Sequence, residues 1–293
     1  MKIMVIGGEG QLGSDCTQVL KQKNDVISLD LEDVDIALFS DIEKKIADFL
    51  PDIIINSAAY THVDNCETER EPAWAVNVKG AENLAVCVQN HGGRLVHIST
   101  DYVFSGRKKI PEPYVEDDEL NPLSYYGMTK LEGERLVRAS TDRHIILRTA
   151  WMYGVNGHNF LKTMLKLAIK NPKNEIKVVR DQYGSPTWSH RLALQITKMI
   201  DKNCQGTYHA SAEGYCSWYE LAKYFLEKMG VPHAMVPCSS DEYPSPAIRP
   251  QNSILENRRL KKTDINIMAP WQDDLDRFIA GFREQLINEA RVK

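Results

Sequence analysis

Short apolar runs alternate with amphipathic stretches through the first 150 residues, and this alternation constrains the fold more than any other feature. The run DIIINS at Asp52–Ser57 is nearly all apolar, as expected for a strand that is buried on both faces. Strands that alternate with helices form parallel sheets, because a parallel connection needs a crossover that a helix supplies. The pattern therefore predicts an α/β fold with a doubly wound parallel sheet. The predicted strands are Lys2–Ile6, Val26–Asp30, Asp52–Ser57, Arg94–Thr100 and His144–Ala150.

The stretches between these runs carry the signals of helix starts. Ser40 and Glu43 have the spacing of a capping box and predict a helix start at that point. Pro72 suits the first turn of a long helix that runs towards Asn90. Another helix is expected to start near Ser124, before the last strand of this half.

After about Trp151 the alternation loosens and proline becomes frequent between residues 232 and 250. This change predicts a second, smaller α/β domain with long loops that holds the substrate. We assign residues 1–150 to a dinucleotide-binding domain, to which roughly 175–202 return. Residues 151–174 and 203–293 are assigned mainly to the substrate-binding domain.

Composition excludes several classes of protein. The net charge of −4 with interspersed signs gives no reason to expect a nucleic-acid partner. No segment is apolar for long enough to cross a bilayer, and the opening MKIMVIGG is too short for a signal peptide, so a cytoplasmic protein without a membrane partner is expected. The six cysteines show no close pairing and are expected to be free thiols.

A glycine-rich turn follows the first strand directly. In GGEGQLG, Gly7, Gly10 and Gly13 are three residues apart, which allows a tight turn and a close approach of the backbone to a pyrophosphate. Asp30 closes the second strand, about 20 residues past the middle glycine, where a carboxylate can bond ribose hydroxyls and repel the extra phosphate of NADP. These residues favour a dinucleotide site with some preference for NAD(H). Two alternatives stay open. The glycines can form an ordinary strand-to-helix turn, and Asp30 can be a turn residue at the end of a strand.

A second constellation points to carbonyl chemistry. Tyr126 and Lys130 are four residues apart, so they share a helix face. An ammonium about 4 Å from a phenol is worth roughly 4 kcal/mol at an effective dielectric of about 20, which as an upper bound lowers the pKa of the phenol by around three units. Thr100 ends a core strand and offers a hydroxyl to the same carbonyl oxygen. A Y-x-x-x-K pair alone usually lies on a solvated helix face. Here, however, the pair comes after the glycine-rich turn and after the strand that ends at Thr100, in that order along the chain.

These motifs identify a family. The chain resembles the extended short-chain dehydrogenases, and within them the dTDP-4-dehydrorhamnose reductase family, over almost its full length. The segments that carry the resemblance are GGEGQLG (7–13), NSAAYTHVDNCE (56–67), NVKGAENLA (77–85), STDYVFSG (99–106), YGMTK (126–130), RTAWMYG (148–154), NF (159–160), DQYGSPT (181–187) and RPQNSILENRRL (249–260).

The resemblance implies an enzyme that reduces the 4-keto group of a nucleotide-linked 6-deoxy sugar with NADH or NADPH, as a monomer or homodimer. It implies a catalytic triad of Thr100, Tyr126 and Lys130, with Lys130 also bonding the nicotinamide ribose. The implied cofactor-binding residues are Gly7, Gly10, Gln11, Leu12, Gly13, Asp30, Asp35, Ile36, Ala58, Ala59, Tyr60, Tyr126 and Lys130. The implied substrate-binding residues are Thr100, Asp101, Tyr102, Tyr126, Trp151, Asn159 and Arg249.

One departure from the family concerns metal. Some members bridge two subunits with a divalent ion held by acidic side chains, but this chain has Asp15 in the first region and Trp188-Ser189-His190 in the second. No metal site is therefore expected.

Two other functions remain open at this stage. A sugar-nucleotide epimerase or dehydratase uses the same scaffold, although Tyr102 stands where dehydratases carry a further acidic residue. Some close relatives are cofactor-binding regulatory subunits of another enzyme, such as the beta subunit of methionine adenosyltransferase, and an intact site does not prove its use.

Overall fold

Six parallel strands form the central sheet in the computed structural model, which describes residues 1–170 and 172–292. Their order across the sheet is β2-β1-β3-β4-β5-β10. The strands of the protein are β1 (Lys2–Ile6), β2 (Asp25–Leu29), β3 (Ile53–Asn56), β4 (Arg94–Thr100), β5 (His144–Thr149), β6 (Met152–Tyr153), β7 (Glu175–Val179), β8 (Tyr183–Gly184), β9 (Thr187–Trp188), β10 (Gly206–His209), β11 (Cys216–Ser217), β12 (Ala234–Cys238) and β13 (Asn252–Ser253). The doubly wound α/β sheet predicted from the sequence is confirmed.

Helices cover both faces of this sheet. The α-helices of the described residues are α1 (Gln11–Leu20), α2 (Phe39–Phe49), α3 (Arg70–Trp74), α4 (Ala81–His91), α5 (Tyr125–Ser140), α6 (Phe160–Lys170), α7 (Ser189–Asp201), α8 (Trp218–Met229), α9 (Arg258–Lys262) and α10 (Trp271–Arg291), of which α1 and α7 lie on one face of the sheet and α2, α4 and α5 on the other. Leu12 of α1 and Ile196 of α7 pack with Val5 on one face. On the other face, residues of α2, α4 and α5 pack against Met4 and Ile54. Burial on both faces explains why the strands are almost wholly apolar.

The order of the strands reverses beside β1. The chain passes from β1 to β2 on one side and then crosses to β3 on the other, and both neighbours run parallel to β1. At such a reversal the loops leave the carboxyl ends of the strands in opposite directions and open a crevice that binds ligands. Gly7 follows β1 and Ala58 lies shortly after β3, so both flank this crevice.

A second apolar cluster lies among α6, α8 and α10 and includes Leu165, Phe225 and Phe278. Outside the central sheet, β7 pairs with β12, β8 lies between β11 and β13, and β6 pairs with β9. Helix α7 packs on the central sheet, β7 lies outside it, and β10 joins it as an edge strand. The division into two domains stays a prediction.

Two details differ from the sequence-based expectation. Helix α2 begins one residue before Ser40, its N-terminal cap is Leu38, and no side chain caps it, so the predicted capping box is wrong. The preceding turn already leads into the helix, because the backbone N–H of Leu38 bonds to the carbonyl of Asp35. The long helix from Pro72 contains a π-helical segment at Ala75–Gly80 between α3 and α4.

Within the described residues, no helix combines the length and the apolarity that a membrane crossing requires.

Candidate active site

In the turn after β1, two glycines approach neighbouring backbone atoms so closely that no side chain would fit. Gly7 has φ +75°, and a Cβ atom there would lie 2.7 Å from the backbone nitrogen of Ala58. At Gly13 a Cβ atom would lie only 2.0 Å from the carbonyl oxygen of Gly7. Any larger residue would push the turn away from the start of α1. Gln11 and Leu12 lie in the first turn of α1, whose free backbone amides face the crevice side of the turn.

Asp30 ties this turn to the end of β2. One oxygen of its carboxylate accepts the backbone N–H of Glu9 at 2.9 Å, and the other accepts that of Leu31 at 2.8 Å. Its own N–H donates to the carboxylate of Asp33 at 3.0 Å. A negative charge is therefore held at the rim of the glycine turn, where the ribose hydroxyls of a dinucleotide would lie.

The loop that carries the other adenosine-side residues is pinned by an asparagine of α4. The side-chain amide of Asn83 donates to the carbonyl oxygens of Ile36 at 2.8 Å and Ala37 at 3.1 Å. Ile36 is buried, and a Cβ atom on Gly80 would collide with its side chain at 2.6 Å. Asp35 caps this turn by accepting the N–H of Ala37 at 2.9 Å.

Asn77, in the π-helical segment, connects the loop after β3 to α5. Its side chain accepts the N–H of Tyr60 at 2.9 Å and donates to the carbonyl of Tyr60 at 3.1 Å. The same amide donates to the hydroxyl of Thr129 at 3.0 Å, and Thr129 in turn donates to the carbonyl of Tyr126. The cofactor-side loop at Ala58–Tyr60 and the helix of the catalytic tyrosine are therefore held in one network.

Helix α5 begins at the carboxyl end of β4 and places Tyr126 beside Thr100. Ser124 caps the helix by accepting the N–H of Gly127 at 3.2 Å. Gly127 lets the helix approach closely, because a Cβ atom there would lie 2.3 Å from the carbonyl oxygen of Tyr102. The rings of Tyr102 and Tyr126 meet edge to face at 5.6 Å between centroids.

The electrostatics of Tyr126 differ from the sequence-based prediction. Its pKa lies above the ordinary value, because burial and the carboxylate of Asp101 disfavour the phenolate, while a hydrogen bond with Thr100 acts in the opposite direction. Lys130 is not among the groups that chiefly shift the pKa of Tyr126, since its ammonium donates to the carbonyl of Ile98 at 2.7 Å. The expected lowering of this pKa by Lys130 is therefore wrong for the protein as seen here. Tyr126 holds its proton throughout the neutral range.

Lys130 itself is buried, with 3% exposed surface. Burial lowers the pKa of Lys130 to about 8, and the negative charge of Glu134 opposes that shift. Glu134 is locked beneath the site by Arg148, whose guanidinium donates to both of its carboxylate oxygens at 2.8 Å. Lys130 is thus an ammonium that keeps its charge at neutral pH and gives it up only slightly above.

A cleft of about 840 Å³ opens beside the tyrosine pair. Arg249 lies at its edge, influences Tyr102, and forms a salt bridge of 2.7 Å with Asp64. Three cationic side chains and two aromatic ones are among the residues that line the cleft, together with the carboxylate of Asp241. The residues that matter here are Arg107, Lys177, Arg249, Phe160 and Trp218.

Two of the predicted substrate residues have contacts of their own. Trp151 adopts φ +48° and stacks on Trp218 at 3.5 Å between ring centroids, so it supports the aromatic wall of the cleft. Asn159 accepts the N–H of Lys162 at the start of α6 and donates to Gln11 at 3.2 Å. Asn159 therefore lies against the glycine turn and is not among the residues that line the cleft.

The sequence reasoning missed several residues that hold this site together. Asn77 lies in the quoted motif NVKGAENLA and Asp64 in NSAAYTHVDNCE, so both were visible without an assigned role. Trp218 lies in none of the motifs on which the sequence analysis drew. Its importance depends on long-range packing against Trp151 that no local pattern encodes.

The region around Asp15 and Ser189, which was considered as a metal site, contains a hydrogen-bonded pair of side chains. Asp15 is buried and accepts the hydroxyl of Ser189 at 2.5 Å, while His190 lies 3.7 Å from its other oxygen. Among the residues that the structure describes, no group of three or more metal-ligating side chains comes together.

A glycine-lined crevice at a strand-order reversal, with a Thr/Tyr/Lys set beside it, defines an oxidoreductase scaffold of the extended short-chain dehydrogenase type. Comparison with known proteins narrows this class. The chain belongs to the family described as RmlD substrate binding domain, whose model matches residues 1–284.

Three similar proteins illustrate the family. The spore coat polysaccharide biosynthesis protein SpsK of Bacillus subtilis is 40% identical over 279 residues, covering 95% of this chain and 96% of SpsK. The crystal structure of a dTDP-4-dehydrorhamnose reductase from Clostridium acetobutylicum is 42% identical with a TM-score of 0.93, covering 97% of this chain and 100% of that one. The dTDP-4-dehydrorhamnose reductase of Bacillus anthracis, solved in complex with NADP, is 38% identical with a TM-score of 0.92, covering 96% and 99%.

Proposed function

We propose that this protein reduces the 4-keto group of dTDP-4-dehydro-L-rhamnose to give dTDP-L-rhamnose, with NADH or NADPH as the reductant. The observation that carries the proposal is that Tyr126 of α5 lies against Thr100, which ends β4 at the carboxyl edge of the central sheet. Two solved structures with the same fold and 42% and 38% identity are dTDP-4-dehydrorhamnose reductases.

The residues of the crevice fit a dinucleotide. An added Cβ atom on Gly7 would strike the backbone of Ala58 in the loop after β3, and one on Gly13 would strike the carbonyl of Gly7, so the glycines keep open a cradle of backbone amides. Gly10, Gln11 and Leu12 complete this cradle. The rim would hold the adenosine half through Asp30, Asp35 and Ile36, and the nicotinamide half would lie along Ala58, Ala59 and Tyr60.

When bound, the nicotinamide supplies a hydride to the ketone carbon. The residues of this chain deal with the oxygen of the same carbonyl. Tyr126 donates its phenolic proton to that oxygen. The proton is present at neutral pH because the pKa of Tyr126 is raised. Lys130 carries a positive charge below about pH 8 and would bond the nicotinamide ribose from its place beside the carbonyl of Ile98. Thr100 donates a second hydrogen bond that holds the carbonyl in place.

The cleft accounts for the nucleotide part of the substrate. Arg107, Lys177 and Arg249 bring positive charge to it, and guanidinium groups bind phosphate oxygens in pairs. Trp218 offers an aromatic face on which a base can stack, supported from behind by Trp151. The sugar would lie between this wall and Tyr126, in contact with Asp101 and Tyr102.

The test is the oxidation of NADH and of NADPH in the presence of dTDP-4-dehydro-L-rhamnose generated in situ. We expect one equivalent of reduced cofactor to be consumed per equivalent of sugar, with dTDP-L-rhamnose as the product. An epimerase or dehydratase would regenerate its cofactor and show no such stoichiometry. Conversion of the sugar without net oxidation of the cofactor, or no conversion at all, would refute the proposal.

We also propose that the protein works in the cytoplasm, as a monomer or homodimer, on this small-molecule substrate and without nucleic acid or membrane. The balanced surface charge and the chemistry of a soluble nucleotide sugar support this. Light scattering of the purified protein, with and without EDTA, measures the mass and shows whether a divalent ion contributes to it. A tetramer or larger assembly would contradict the proposal.

A further inference from the structure

Asp101 is a buried carboxyl group in the candidate active site, and residues 1–170 and 172–292 supply no cation partner for it. Only 4% of the surface of Asp101 is exposed to solvent. The oxygen Oδ1 accepts the hydroxyl of Thr100 at 3.0 Å, whereas Oδ2 is buried and meets no hydrogen-bond donor within the part of the chain that the structure describes. In that same part, no lysine, arginine or histidine forms a salt bridge with it.

The groups that face Asp101 come from several elements, and none of them neutralises it. They are Thr100 at the end of β4, Tyr102 next to it in the chain, Tyr126 on α5 and Ser253 on β13. Of these, Thr100 donates to Asp101 at 3.0 Å, while the hydroxyl of Ser253 lies near enough to favour the charged form of Asp101 without completing a hydrogen bond to it.

Further charges nearby act on the two tyrosines. Arg249 and Asp64 influence Tyr102, but they are paired with each other at 2.7 Å. Cys66 faces Tyr126 and has a pKa raised to about 11 by burial, so its thiol carries no charge at neutral pH. Among the residues that the structure describes, Asp101 therefore faces no cation that is free to compensate its charge.

The contact with Thr100 depends on whether Asp101 is charged. A carboxylate can only accept hydrogen bonds, so it occupies the hydroxyl proton of Thr100. A protonated carboxyl can itself donate, which frees the proton of Thr100 for another acceptor. A carboxylate here also opposes the formation of a phenolate at Tyr126, as its effect on the pKa of that tyrosine shows.

We infer that Asp101 is a proton-carrying positioning residue: neutral, it releases the Thr100 hydroxyl to the substrate carbonyl, and charged, it withholds that hydroxyl. The inference deepens the proposed reductase function and rests on it. Burial raises the pKa of Asp101 to about 6, so the two forms exchange within the physiological range. Turnover is then expected to fall as Asp101 ionises, separately from any effect of Lys130 nearer pH 8.

The first test compares pH profiles of kcat for the reduction of the keto sugar. For the unmodified protein we expect kcat to fall by about tenfold per pH unit above the ionisation of Asp101. In D101N, where the side chain is neutral at every pH, this fall should vanish and only the limb near pH 8 should remain. Asp48→Asn, an exposed aspartate on α2, serves as the matched control and should keep the profile of the unmodified protein. Superimposable profiles for D101N and the unmodified protein would overturn the inference.

A second measurement does not depend on turnover, so it separates this inference from the proposed function. In protein labelled with ¹³C at the aspartate carboxyl groups, we expect one NMR resonance that titrates near pH 6 and is absent from D101N. Thr100→Val should move this titration to higher pH. The hydroxyl of Thr100 stabilises the carboxylate form of Asp101, and the variant loses that hydrogen bond. If no resonance of the intact protein titrates between pH 5 and 7, or if Thr100→Val leaves it in place, Asp101 does not have the role inferred here, whatever the activity of the enzyme.

Discussion

At the scale of single residues, Tyr126 is held by its surroundings in the protonated state. Burial and the charge of Asp101 raise its pKa, and the ammonium of Lys130 is directed at the carbonyl of Ile98. A proton donor that is always loaded is suited to reduction, where a proton must go to the oxygen as the hydride arrives at carbon. The driving force for that transfer has to come from the charge that develops on the oxygen.

We predict that Tyr126→Phe lowers kcat by about 10²- to 10⁴-fold, the usual contribution of a positioned general acid, because the proton donor is lost. The affinity for NADH, measured by fluorescence titration, should change little. Tyr125→Phe is the matched control, since Tyr125 is the preceding residue and its ring faces Arg70. A Tyr126→Phe variant that keeps more than half of the normal kcat would contradict the assigned role.

Asp30 should influence the choice between the two cofactors. Its carboxylate already accepts two backbone N–H groups and lies at the rim of the glycine turn, so its negative charge would oppose a 2′-phosphate on the ribose. We predict that Asp30→Asn raises the ratio of kcat/KM for NADPH over NADH by about tenfold, which corresponds to about 1.4 kcal/mol. Asp33→Asn is the control at the same turn. An unchanged ratio in Asp30→Asn would show that the charge does not reach the cofactor.

At the scale of secondary-structure elements, an ion pair fastens the catalytic helix to the sheet. Glu134 lies on α5, one turn after Lys130, and its side chain is fully buried. Arg148 of β5 binds it through both oxygens, and Ser99 of β4 donates to it at 2.6 Å. The pair holds the middle of α5 against two strands, and the cap at Ser124 fixes its N-terminus.

Removing one member of this pair should destabilise the protein strongly. We predict that Glu134→Gln lowers the free energy of unfolding by about 3–5 kcal/mol, because Arg148 is left as a buried charge without its partner. Urea denaturation at pH 7 measures this. Glu132→Gln on the same helix, whose partner Arg135 is exposed, should cost less than about 1 kcal/mol.

The pH dependence gives the same pair a second signature. Hydrogen bonds and the charge of Arg148 lower the pKa of Glu134 to about 2, from an ordinary value of 4.5, against the opposing effect of burial. The stabilisation is therefore complete above pH 4.5 and is lost as the pH falls towards 2. Glu134→Gln should show a flatter decline of stability over that interval. An identical decline in both proteins would mean that other carboxylates cause it.

At the scale of the whole molecule, the site draws on two groups of packed elements: the central sheet with its helices, and the cluster around α6, α8 and α10. The glycine turn follows β1 of the central sheet, Thr100 ends β4, and Tyr126 and Lys130 lie on α5. Trp218, in contrast, belongs to α8 in the cluster around α6, α8 and α10. Trp151 follows directly after β5 and stacks on Trp218, so it connects the two units beside the cleft. The aromatic wall thus depends on how both units pack.

We predict that Trp218→Ala weakens binding of the nucleotide sugar more than it slows the chemical step. Stacking of a base on an aromatic ring contributes about 1–3 kcal/mol, so KM should rise roughly 5- to 150-fold while kcat falls much less. Trp218→Phe keeps an aromatic face and should recover most of the affinity. An unchanged KM in Trp218→Ala would place the base elsewhere in the cleft.

The sequence alone determined the architecture of the first half and the identity of the residues that can do chemistry. Strands buried on both faces must be apolar, and a glycine turn needs its glycines at fixed positions, so both features are written in local pattern. Tyr126 and Lys130 share a helix face for the same reason. The resemblance to a family of reductases rests on these short motifs.

Only the tertiary structure decided how those residues behave. The pKa of Tyr126 depends on Asp101 and on burial, and the direction of Lys130 depends on a carbonyl of β4, none of which follows from a spacing of four residues. The start of α2 was set by a preceding turn and not by Ser40. Trp151 and Trp218 are 67 positions apart in the chain and stack in the fold. Desolvation and long-range contact arise from packing, and therefore no local pattern in the sequence records them.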